Sequence, residues 1–159
     1  MSVSNAGPDA PSEAWALTWL SPAEAALWLG QPGRDRRHSV AVARLVADCA
    51  PRAFGAGSEF GDGSWLLAAG LLHDVGKATA ELGVIGRSAA TLLELLGVGR
   101  APGRLGRYLA YPAAGAAALR RAGSDDRVAA WAGEHHLAPA RWTVPAAAGE
   151  LLAAADRDA

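Results

Sequence analysis

What this chain has least of is lysine. Lys77 is the only one among 159 residues, and arginine supplies every other permanently positive side chain. A composition so biased towards arginine points to a specific contact where lysine is kept. Cysteine is as scarce: Cys49 stands alone, which excludes an intrachain disulfide and, with no secretory segment, sets a reducing cytoplasm as the expected compartment. Cys49 itself is expected to be a small buried core residue. No apolar run approaches the roughly 18 residues of a membrane span, so no membrane partner is expected. An excess of one charge is missing too. The formal net charge is -1, the isoelectric point is near 6.4 and the arginines are dispersed, which argues against a nucleic-acid or membrane-surface binder. Oligomeric state is not legible from these features.

What is present is apolar and helical. Hydrophobic residues make up 51% and charged residues 19%, enough for one domain with a sizeable core. Strand-type alternation is almost absent and alanine is abundant, so the expected fold is all-α, a single-domain bundle of about six to eight helices. Residues 1–12 read as a disordered tail and 13–159 as the domain, with order beginning near Glu13 or Ala14. Ser21-Pro22-Ala23-Glu24 has the form of a capping box opening a short helix through Leu29. Further helices are expected at about 34–49, 64–72, 88–96, 105–110, 112–121, 125–135 and 145–156. The six tryptophans read as core and helix-docking residues, with Trp15 and Trp19 able to dock the N-terminal segment or a partner. Arg100, Arg104 and Arg107 form either a solvated face or a basic lip for an anion.

Helical phase brings the chemistry out. His38, Val42, Leu45, Val46 and Cys49 share one stripe, so His38 faces the core. Leu66, Gly70, His73 and Asp74 share another, and Leu152 and Asp156 are one turn apart near the C-terminus. Burying unpaired carboxylates costs several kcal/mol, roughly 3–5 when a partner is removed, so such groups are paired, protonated or bound to metal. A divalent cation held by His38, His73, Asp74 and Asp156 would satisfy all four, and mixed imidazole and carboxylate ligation suits Mn, Fe, Co, Ni or Zn better than calcium. Residue by residue, a hydrogen-bonded core histidine and helix-capping or arginine-paired aspartates remain open.

These residues also carry a family resemblance. His38, the doublet His73-Asp74 within His73-Asp74-Val75-Gly76-Lys77, and Asp156 within Ala155-Asp156-Arg157 resemble the H...HD...D signature of the HD-domain superfamily of metal-dependent phosphohydrolases, over residues 34–158. The resemblance implies an all-helical fold and a divalent metal, Mg included among the candidates. It further implies a small phosphorylated substrate, with nucleotides among the candidates. Members with a second metal carry an HPxxGA segment and a His-His pair. Here Tyr111-Pro112-Ala113-Ala114-Gly115-Ala116 is similar to that segment with Tyr111 in the histidine's place, and His135-His136 supplies the pair. A phenol of pKa about 10 is a poor ligand near neutrality, so one metal is expected. The DGxGYP stretch of cyclic-dinucleotide hydrolases is absent after His136, where only Pro145 is kept.

The resemblance implies phosphate ester hydrolysis by metal-activated water, with Asp74 orienting the water and Lys77 donating to a nonbridging oxygen. His135 or His136 would protonate the leaving group. Two other readings stay open: an HD module that binds metal or nucleotide without turnover, and a purely structural helical domain.

Overall fold

A computed structural model describes the backbone of residues 6–53, 63–81 and 104–159. Every regular element among them is helical, as expected, and no described helix is long and apolar enough to cross a membrane. The elements are α1 (Ala10–Leu17), α2 (Pro22–Leu29), α3 (Gly33–Ala53), α4 (Ser64–Leu72), α5 (Val75–Glu81), α6 (Arg104–Arg121), α7 (Asp126–Glu134), a 3-10 turn (Pro139–Arg141) and α8 (Ala146–Asp158).

Local chemistry sets the starts. The Asp9 carboxylate caps α1 by accepting from Ser12 N at 2.9 Å. At α2 the expected capping box forms: Ser21 N donates to Glu24 and Glu24 N donates to Ser21 Oγ. Asp125 caps α7 by accepting from Arg127 N at 2.8 Å. Gly63, at φ 72°, makes the left-handed turn into α4.

Helix α4 is the centre of the bundle. Its residues from Trp65 to Leu72 are all buried, as a helix apolar on every side must be. It packs on α2, α3, α7 and α8, while α5 packs on α6 and α6 on α7. Close approach is built from small residues. A Cβ on Gly70 would lie 3.2 Å from Ala43 Cα, where α4 crosses α3. A Cβ on Gly76 would lie 1.9 Å from the Tyr111 carbonyl oxygen, so α5 and α6 meet backbone to backbone. Trp28 ties α2 to α3 beside His38, its indole N–H donating to Ser39 Oγ at 2.9 Å.

Four expectations need amending. Order begins earlier than Glu13, since Asp9 already caps α1. Pro112 does not divide 105–110 from 112–121; it lies inside α6, whose tight packing on α5 overrides the local preference of proline to stop a helix. Cys49 is exposed rather than buried. It keeps the phase of the His38 stripe but stands beyond Val46, the last residue of that stripe to be buried. Trp19 is exposed, although Trp28, Trp65 and Trp131 are core residues and Trp15 and Trp142 pack against the core. The expected helix at 88–96, Arg100 and the side chains of Arg104 and Arg107 lie outside the described residues.

Candidate metal centre

Two helix ends converge at the centre of the site. His73 caps the C-terminus of α4, and His135 caps that of α7. Each ring points its Nδ1 at a carbonyl three residues back in its own helix, His73 to Gly70 O at 2.8 Å and His135 to Ala132 O at 3.2 Å. A carbonyl can only accept, so Nδ1 carries the proton in both rings and Nε2 is left with a lone pair. Both Nε2 atoms are buried without a hydrogen-bond partner.

What they face is anionic. His73 Nε2 lies 3.4 Å from Asp74 Oδ2 and 3.4 Å from Asp156 Oδ1. His135 Nε2 lies 3.7 Å from Asp74 Oδ1. Asp156 Oδ1 also meets His38 Nε2 at 2.9 Å, and Lys77 Nζ meets Asp74 Oδ2 at 2.5 Å. Helices α3, α4 and α8 and the turn between α4 and α5 therefore bring His38, His73, Asp74 and Asp156 together, the four residues expected to form one cage.

Depth is graded across the site. The side chains of His73, Asp74 and His135 are 2%, 6% and 1% exposed, whereas that of Lys77 is 44% exposed and His38 and Asp156 are half-buried. Burial pushes the His73 imidazole down, but the neighbouring Asp156 and Asp74 outweigh it and raise it to about 9. Burial pushes the Asp74 carboxyl up, but His135, His73 and Lys77 hold it far below the usual carboxylate range. His38 and then His73 hold Asp156 low in the same way. Lone pairs set against carboxylates call for a positive species between them, either a proton on His73 or a metal cation. The donor set of imidazole nitrogens and carboxylate oxygens fits a divalent cation. The ligand atoms of His38, His73 and Asp74 lie within 4.8 Å of one another, as do those of Asp74, His135 and His136.

The sequence profile of the HD domain matches residues 36–158. The chain belongs to the HD domain family. No curated protein and no solved structure gives a match. HD domains form a superfamily of metal-dependent hydrolases, and the histidine and aspartate groups of this one are able to hold a divalent metal.

Within this HD domain the adjacent pair His135 and His136 does face one place, as a helix end allows. The two rings lie 3.9 Å apart, just past the last turn of α7. The stretch after them is fastened back: Glu134 accepts from Thr143 N at 2.6 Å and from Thr143 Oγ1 at 2.7 Å. Trp142 stacks edge-on to Trp131 at 5.4 Å, filling the space that Gly149 leaves open. These supports escape a search for ligand types, because glutamate, threonine and tryptophan act here through packing and backbone contacts. Sequence reasoning also missed the part played by Tyr111, which it treated only as a missing ligand. The Tyr111 hydroxyl contacts His136 Nε2, and the Tyr111 ring lies 5.7 Å from Lys77 Nζ.

Proposed function

We propose that this HD domain is a metal-dependent phosphohydrolase that cleaves a small phosphate ester, a nucleotide being the favoured class. One divalent cation is held by His38, His73, Asp74 and Asp156. The observation that carries the reading is the buried Nε2 of His73, unpartnered and set between two carboxylates. When bound, the cation lowers the pKa of water from 15.7 towards roughly 7 and offsets charge on a phosphoryl oxygen.

The chain's own groups do the rest. Asp74 is fixed by Lys77 and lies beside both buried histidines, so it can accept a hydrogen bond from the attacking water and orient it. Lys77 reaches the exposed side of the site and can donate to a nonbridging phosphate oxygen as charge develops there. His136 is exposed where His135 is buried, which makes it the better placed of the pair to protonate the leaving oxygen. Burial and the adjacent His135 push the His136 imidazole below its usual value.

Metal analysis of the purified protein, followed by a screen of phosphate monoesters and diesters with Mn, Co, Ni and Mg, tests the reading. A single tightly held equivalent with turnover, both lost in Asp74→Ala, is expected. Protein without metal near neutral pH, with Asp74→Ala as stable as the parent, would overturn it. Metal without hydrolysis would favour the non-catalytic module.

A further inference from the structure

The site contains two overlapping clusters of potential ligands that share Asp74, and each has one buried Nε2 without a hydrogen-bond partner, that of His73 in the first and of His135 in the second. They differ in the partner of the other ring: His38 Nε2 meets the Asp156 carboxylate at 2.9 Å, an oxygen that is itself a suitable ligand, so a cation can take both groups together. His136 Nε2 is taken up by the phenol of Tyr111, a poor ligand near neutrality. A ring nitrogen engaged with a hydroxyl has no lone pair to give a cation unless that contact breaks.

Tyr111 is also held firmly. It is 6% exposed, its carbonyl oxygen sits against the Gly76 backbone, and its ring lies within cation–π distance of Lys77. The residue therefore touches the two groups, Lys77 and His136, that line the exposed side of the site.

We propose that Tyr111 is a positioning residue that withdraws His136 from cation ligation and keeps it, beside Lys77, as part of an anion-binding wall for the substrate phosphate. The inference rests on the one-cation reading of the first cluster. It adds the reason why the second cluster stays free of metal, and it gives His136 a ligand of its own, a phosphate dianion.

The experiment is a titration of metal-free protein with Co(II), read by visible absorption and by metal content after gel filtration. It is followed by binding of inorganic phosphate to the Co(II)-loaded protein. The parent is expected to hold one equivalent, and Tyr111→His two. His136→Gln should still hold one equivalent while binding phosphate about tenfold more weakly, as the loss of one hydrogen bond to a charged group does. Two equivalents in the parent, or loss of its single equivalent in His136→Gln, would overturn the role given to Tyr111 while leaving the hydrolase reading intact. Unchanged phosphate binding in His136→Gln would likewise overturn it. A parent that takes up no Co(II) sinks both together. Should Tyr111→His fail to fold, as judged by its helical circular dichroism, the parent and His136→Gln decide the matter alone.

Discussion

His73 and His135 are built alike and end up in different electrostatic company. Each caps a helix, each commits Nδ1 to a carbonyl in the preceding turn, and each buries an unpartnered Nε2. His73 looks at two carboxylates at 3.4 Å, one of them shared with His38. His135 looks at one, at 3.7 Å, with the His136 ring tilted beside it. Two rings of one type and one local geometry thus differ in the count of anions around Nε2, and the α3–α4–α8 half of the site has more negative charge to offset than the half beside Tyr111.

Mutations on the charge-deficient side of the site should have the largest effects. Asp74→Asn removes the anion both halves share, and we expect cation retention and turnover to vanish. His73→Gln should also lose the cation on gel filtration, while His135→Gln weakens affinity by only about 10–100-fold, the range for a group acting through a neighbouring ligand. Equal losses from the two glutamine variants, measured by competition with a fluorescent chelator, would show that the two histidines act alike.

Gly76→Ala should have the next largest effect. Its new Cβ would fall 1.9 Å from the Tyr111 carbonyl oxygen, so α5 and α6 must separate. A loss of about 3 kcal/mol in urea unfolding is expected, at the upper end for overpacking. Lys77→Met should keep the cation but lower kcat by about 10²-fold, as removal of one donor to a developing oxyanion does. That split would place Lys77 with the substrate rather than with the metal.

The smallest effect is a drift with pH. In the metal-free protein His73 is raised from 6.5 to about 9, so its contribution to stability is complete below pH 6.5 and disappears as pH rises through 9. Asp74 and Asp156 are lowered, so theirs is present above their usual value of 3.8 and disappears as pH falls below it. Cation binding must displace the His73 proton, so affinity should climb about tenfold per pH unit up to pH 9. Melting curves with and without chelator should thus diverge over pH 6.5–9, metal-free protein losing stability as the loaded protein gains it.

Much of this architecture was legible in the order of residues. The phase of His38 against Val42 and Val46, and the apolar run ending at His73-Asp74, are properties of single helices, so sequence alone could say which way they face. The capping box at Ser21 and Glu24 is equally local. What stayed hidden depends on a second element. Pro112 looks like a helix break until α5 is packed against it, and Cys49 looks buried until the reach of its neighbours is known. Tyr111 looks like a lost ligand until α7 ends where His136 can meet it. The site was therefore readable as a set of donors, and unreadable in how its two halves divide them.

The contact of Gly76 with the Tyr111 carbonyl has a bearing on how this site can vary. No side chain separates α5 from α6 there, so the span from Lys77 to Tyr111 is fixed by backbone like a riveted joint. The close approach at Gly76 leaves little room there for repacking to widen or narrow that wall. On the proposed reading, a descendant of this chain that came to accept a different phosphate ester would have to change the chemistry of the wall, at Tyr111 or His136, rather than its dimensions.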